Sequence, residues 1–166
     1  MVSVESIDQM LRVVPDFPKP GVNFLEMGPI LNDPSAFSSL ITHMIDSVKD
    51  LKIDKIIGIE SRGFILGSVM AARMETGFVM VRKKGKLPGP NVSVTYSLEY
   101  GEDTLELSEA SLKKAERILI VDDVLATGGT AAATAELCQK LGAEVLGLSC
   151  FIEIPFLKGR EKFPHK

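Results

Sequence analysis

Residues 117–134 read RILIVDDVLATGGTAAAT, and this stretch decides the architecture. Ile118, Leu119, Ile120 and Val121 form a short, β-branched, unbroken apolar run, the pattern of a parallel strand buried on both faces. Asp122 and Asp123 follow at its carboxyl end, the edge at which open α/β sheets place their ligands. Next come Ala126, Thr127, Gly128, Gly129 and Thr130, small or hydroxylated residues that precede a helical run over 131–141. A turn of that kind leaves backbone N–H groups and the positive end of a helix dipole available to cradle an anion. A nucleoside-triphosphate loop would need Lys before its last Thr, whereas Gly129 stands before Thr130, and the paired carboxylates would repel a triphosphate. They suit instead two neighbouring hydroxyls of a sugar whose phosphate sits in the turn. The plainer alternative is an ordinary strand-to-helix turn with a capping Thr and a solvated acidic pair.

Outward from this unit the chain alternates strands and helices. Ser3 predicts a cap for a first helix reaching about Val13, stopped by Pro15, Pro18, Pro20 and Gly21. Asn32, Asp33 and Pro34 predict a second helix start, and Phe37, Leu40, Ile41, Met44, Ile45, Val48 and Leu51 then recur as one apolar core stripe. A strand over 55–59, a helix over 63–75 closed by Gly77, and a strand over 78–82 imply a parallel pair with a right-handed crossover. Residues 92–107 switch to polar–apolar alternation around Glu99, Tyr100, Gly101, Glu102 and Asp103, which predicts a hairpin leaving the parallel sheet, with a mobile acidic tip. An apolar strand over 145–152 and a basic tail over 155–166 complete the chain. The expected fold is one doubly wound α/β domain over 1–166. It has a mainly parallel sheet, flanking helices, a protruding β-hairpin over 92–107 and a small amino-terminal hood over 1–33.

Composition narrows the function classes. The 166 residues suit one domain with a substantial core, and 45% hydrophobic with 25% charged residues is globular. Nineteen basic against 22 acidic residues give a net charge of −3, so no bulk polycation is available for nucleic acid and any basic site is local. Cys138 and Cys150 read as buried thiols, neither metal ligands nor a disulfide. Glu5 and Asp8 oppose a secretory signal and no apolar run approaches membrane-spanning length, so a soluble cytoplasmic protein without a membrane partner is expected.

The string VDDVLATGGT resembles the phosphoribosyl-pyrophosphate (PRPP) motif of type I phosphoribosyltransferases. PDFPKPGVNF at 15–24, ESRGF at 60–64, VRKKGKLPGP at 81–90 and YSLEYG at 96–101 narrow the resemblance to the adenine phosphoribosyltransferases, in the family's order across almost the whole chain. The resemblance implies formation of AMP and pyrophosphate from adenine and PRPP, in purine salvage, by a homodimer using Mg²⁺. By the same resemblance, Ala126, Thr127, Gly128, Gly129 and Thr130 would bind the 5-phosphate, and Asp122 and Asp123 the ribose hydroxyls. Ser61 and Arg62 would meet pyrophosphate on a loop that in this family often carries a non-proline cis peptide. Arg82, Lys83 and Lys86 would reach pyrophosphate in the neighbouring subunit. Asn23, Phe24 and Leu25 would take adenine, with Phe24 stacking on the base.

Glu99 would act as proton partner near the adenine N7, with Tyr100 packing over the closed site and Arg62 completing the catalytic set. Mg²⁺ would be held mainly by PRPP, pyrophosphate and water, with Asp122 and Asp123 nearby. The family commonly continues Phe-Arg-Asp where this chain has Phe24, Leu25 and Glu26. Two alternatives stay open: a phosphoribosyltransferase for another base, and a non-catalytic PRPP or nucleotide sensor.

Overall fold

The computed structural model describes residues 1–97 and 101–163. The chain divides into two compact units, Met1–Ser47 and Val48–Lys166.

In the first unit, Ser3 caps α1 (Val4–Asp8) by accepting from the Ser6 N–H at 3.2 Å. The helix stops there, well short of Val13. Instead β1 (Arg12–Val14) pairs antiparallel with β2 (Phe24–Glu26), with Val13 opposite Leu25. Val13 and Val14 are β-branched and find a partner strand distant in sequence, which local helical periodicity does not register. Between the strands the Asp16 carboxylate accepts from the Gly21 N–H at 2.7 Å, and Gly21 turns with a φ of 84°. After β2 come α2 (Gly28–Asn32) and α3 (Pro34–Asp46). Asp33 caps α3 through the Ala36 N–H at 2.8 Å and Pro34 occupies its first turn, as expected. The stripe is shorter than predicted: α3 ends at Asp46, and Leu51 is exposed. Ile7, Ile30 and Ile41 are fully buried.

The second unit is built on a six-stranded sheet. Its elements are β3 (Lys55–Ile59), α4 (Arg62–Arg73), β4 (Gly77–Lys83), β5 (Asn91–Ser97), β6 (Glu102–Ser108), β7 (Arg117–Leu125), α5 (Gly129–Lys140), β8 (Glu144–Glu153) and α6 (Gly159–Lys162). The order across the sheet is β5-β6-β4-β3-β7-β8, with β4, β3, β7 and β8 parallel and the β5–β6 hairpin antiparallel at one end. Successive strand residues face opposite layers. Thus Ile57, Ile59, Ile118 and Ile120 share one core with Ala131 and Leu137 of α5, while Ile56, Phe78 and Val121 lie against Gly67 of α4. Each fully buried Ile or Leu here contributes about 1.5–3 kcal/mol. The α/β fold with a mostly parallel sheet is therefore as expected.

Three local expectations change. The helix after β3 is not closed by Gly77: Glu75 itself takes a φ of 54°, and Gly77 begins β4 against the Lys55 side chain. The hairpin does not leave the sheet, because β6 pairs with the end of β4 at Arg82–Glu106 and Lys83–Leu105. Its strands also tie to α5, where Lys140 Nζ donates to the Ser93 carbonyl at 3.1 Å. Finally, β7 runs on to Leu125, so Asp122 and Asp123 lie within the strand, with Asp122 opposite Cys150 of β8. Cys138 and Cys150 are free thiols, and burial pushes them up to about 12 and about 11, respectively. Among the described residues no helix is long and apolar enough to cross a membrane.

Candidate active site

Parallel strand order brings three connections to one edge of the second unit's sheet: those after β3, β4 and β7. After β7, residues 126–128 form a tight turn into α5. Gly128 is the N-cap in the left-handed region, φ 77°, and no side chain caps the helix. The first N–H groups of α5 thus face a concavity of about 70 Å³ lined by Asp122, Leu125, Ala126, Thr127, Gly128 and Thr130 among others. The turn is braced from behind by the tail. A side chain at Gly128 would run into the Gly159 carbonyl, and one at Gly159 would run into the Ala126 carbonyl and the Leu125 side chain. Sequence reading treated residues 155–166 as a basic tail and missed this brace; the signal was a glycine immediately before the charged run of Arg160, Glu161 and Lys162.

Both carboxylates of β7 meet the first turn of α4. Asp123 is buried and ion-paired with Arg62 Nε. Asp122 accepts from the Asp123 N–H at 2.9 Å and lies against Gly63, where an added Cβ would sit 2.7 Å from the Val121 carbonyl and 3.1 Å from Asp122 Oδ1. Gly63 is what allows α4 to start so close to β7. Burial, and then the neighbouring Asp123 charge, push the Asp122 carboxyl well above the usual carboxylate range. A hydroxyl or a cation arriving there replaces solvation that this group lacks.

The loop after β3 carries a cis peptide between Glu60 and Ser61, the place the resemblance implied. Ser61 is exposed, and Arg62 turns toward Asp123. Glu60 gathers the basic loop that follows β4. It is ion-paired with Lys86 Nζ, accepts from the Lys83 N–H at 2.9 Å and lies 3.4 Å from Arg82 Nε. Burial alone would raise the Glu60 carboxyl, but Lys86, the Lys83 N–H and Arg82 outweigh it and hold the group below its ordinary range. Lys83 Nζ pairs with Asp103 of β6 at 3.0 Å, which raises the lysine. The basic cluster read from the sequence is therefore largely paired within its own chain.

The hairpin adds a residue that sequence reasoning did not single out. Tyr96 Oη is 3.1 Å from Thr130 Oγ1, and its ring lies over Gly129 at the start of α5. The available signal was its place in the YSLEYG string. Glu99 and Tyr100 lie outside the described residues. In the first unit, Phe24 packs edge-on against Phe17 at 5.3 Å, Asn23 is exposed and Leu25 is partly buried. Glu26, where the family commonly has Asp, accepts from the Gly28 N–H at 2.8 Å and pairs with Arg12 at 2.9 Å.

The Phosphoribosyl transferase domain model matches residues 30–165. The adenine phosphoribosyltransferase of Acidobacterium capsulatum is 48% identical over 163 residues, covering 98% of this chain and 90% of its own length. The crystal structure of adenine phosphoribosyltransferase from Thermoanaerobacter pseudethanolicus superposes with a TM-score of 0.96 at 43% identity, over 97% of this chain and 94% of that one. The Saccharomyces cerevisiae enzyme, complexed with D-2,5-dideoxy-2,5-imino-altritol 1,6-bisphosphate and adenine, matches at a TM-score of 0.91 and 40% identity, over 96% and 93% of the two chains. With the turn after β7, the Asp122–Asp123 pair and the cis Glu60–Ser61 loop meeting at one sheet edge, and with these likenesses over nearly its whole length, the chain belongs to the adenine phosphoribosyltransferases of the phosphoribosyl transferase family.

Proposed function

We propose that this chain transfers the ribose 5-phosphate of PRPP to adenine, releasing pyrophosphate and forming AMP, in cytoplasmic purine salvage. The observation that carries this reading is the joining of an uncapped helix start with an acidic pair, Asp123 buried and Asp122 lining the concavity, at one carboxyl edge, which offers donors to a phosphate and acceptors to a sugar. The turn of Ala126, Thr127, Gly128, Gly129 and Thr130 holds the 5-phosphate. Asp122 and Asp123 accept from the ribose hydroxyls, and Arg62, set by Asp123, faces the pyrophosphate with Ser61. Arg82, Lys83 and Lys86 complete pyrophosphate binding, in the neighbouring subunit of a homodimer. Asn23, Phe24 and Leu25 take the adenine, the units 1–47 and 48–166 working as one domain.

Mg²⁺ would be held mainly by PRPP and pyrophosphate oxygens and by water, with the adjacent Asp122 and Asp123 carboxylates, hard oxygen donors suited to such an ion, nearby. When bound, the ion neutralises charge on the departing pyrophosphate. The protein's own work is to fix the sugar through its phosphate and hydroxyls and to spread the leaving charge over Arg62 and the basic loop. As the adenine ring nitrogen bonds to the ribose carbon and the carbon–pyrophosphate bond breaks, Glu99 receives or relays the base proton, and Tyr100 shields the site from water. The test is pyrophosphate release from PRPP with adenine, hypoxanthine or guanine as acceptor. Release with adenine alone is the expected result. Release with another base, or PRPP binding with no turnover, replaces this reading by one of its alternatives.

A further inference from the structure

We infer that Tyr96 is a positioning residue for the phosphate turn, its phenol holding the Thr130 hydroxyl so that the threonine donates its own proton to the sugar phosphate. The inference rests on reading the turn after β7 as the 5-phosphate cradle. A phosphate dianion only accepts hydrogen bonds, so a useful Thr130 hydroxyl must point its single proton at the ligand, which leaves its lone pairs open to a donor that fixes that orientation. Tyr96 Oη lies 3.1 Å from Thr130 Oγ1, and its phenolic proton is the one placed to fill that role. The phenol is a fixed point. Its ring rests on Gly129, where an added Cβ would sit 3.3 Å from Tyr96 Cδ2 and 3.8 Å from the Ser97 carbonyl.

The strand beneath it is also fixed, by the buried Val94 and by Lys140 on the Ser93 carbonyl. Thr130 is held from the other side, where its carbonyl accepts from Thr134 Oγ1 at 2.8 Å. Burial raises the Tyr96 phenol above its ordinary value, which keeps the proton on it. A phenol–threonine–phosphate chain is also polarised along its length, which strengthens each link. The same contact joins the hairpin to the turn, so the strand leading toward Glu99 is registered on the sugar-phosphate anchor.

The test measures ribose 5-phosphate and inorganic pyrophosphate binding by calorimetry in the parent, Tyr96→Phe, Thr130→Val and the double variant. Tyr96→Phe keeps the ring over Gly129 and should weaken ribose 5-phosphate roughly threefold to tenfold. It should leave pyrophosphate affinity unchanged. In the Thr130→Val background the same change should cost nothing, whereas with Thr130→Ser, which keeps the hydroxyl, the cost should return. In turnover, Tyr96→Phe should raise the KM for PRPP and leave kcat near the parent value, since the bond is made equally in ground and transition states. Parent-like ribose 5-phosphate affinity in Tyr96→Phe, an equal loss in the Thr130→Val background, or a fall in kcat without a change in KM overturns the inference. Failure of the parent to bind ribose 5-phosphate at all removes the reading of the turn itself.

Discussion

Two parts of the same sheet edge face anions by opposite means: the turn after β7, and the loops after β3 and β4 taken together. The turn after β7 uses backbone N–H groups and hydroxyls, carries no charged side chain between Ala126 and Thr130, and is wedged in place by Gly159. The loops after β3 and β4 use charged side chains, and those charges are already spent on one another: Glu60 on Lys86, Arg82 and the Lys83 N–H, and Asp103 on Lys83. The first is built before any ligand arrives. In the second, an arriving polyanion must take cations away from carboxylates that hold them. This difference teaches that one end of the substrate is anchored and the other exchanged, which suits a reaction in which the sugar phosphate stays and pyrophosphate leaves.

The comparison breaks first, and by the largest effect, at the acidic pair. Asp122→Asn with Asp123→Asn removes both carboxyl groups and breaks the Arg62–Asp123 ion pair, and PRPP affinity should fall on the order of 10²-fold or more. Calorimetry on a variant with parent-like circular dichroism checks it, and unchanged affinity would show that the pair does not hold the sugar. Next in size is Gly128→Ala. It places a side chain in the left-handed region and against Gly159, so ribose 5-phosphate binding should weaken roughly tenfold while pyrophosphate binding is spared. Equal losses for both ligands would mean that the two parts of the edge are one mechanical unit.

The smallest effect has the opposite sign. Glu60→Gln frees Lys86 and Arg82, whose side chains are partly exposed, and pyrophosphate affinity should rise roughly twofold to fivefold. The same variant should alter acid stability. The Glu60 carboxyl is depressed in the folded protein, so its contribution is present above the ordinary value of 4.5 and is lost as pH falls through the lower folded value. Thermal melts across that window should show the parent losing stability that Glu60→Gln never had. Weaker pyrophosphate binding in Glu60→Gln would show that the carboxylate organises the basic loop and does not compete with the ligand.

How much of this was legible depended on range along the chain. The strand, acidic pair and glycine turn around Asp122 to Thr130 are contiguous, so their pattern carries its own structure. Strand β3 was readable to the residue because Lys55–Ile59 is a buried apolar run bounded by polar residues. The pairing of Val13 with Leu25 was not readable, since a three-residue strand has no period of its own. Nor was the joining of Arg62 to Asp123, of Glu60 to Lys86, or of Tyr96 to Thr130, because the sheet order, with β3 between β4 and β7, sets those contacts. Arg82 and Lys83, read from the sequence as part of a basic loop, are the last residues of β4, because the hairpin strand β6 extends the sheet beside them. Which charge neutralised which required the topology.

The wedge between Gly128 and Gly159 also bears on how the chain is made. A ribosome delivers β7 and the whole of α5 well before the residues around Gly159, and until then nothing stands behind the turn at 126–128. A product cut short before Gly159 keeps Asp122 and Asp123 within β7 but leaves the turn beside them without the carbonyl and glycine that prop it.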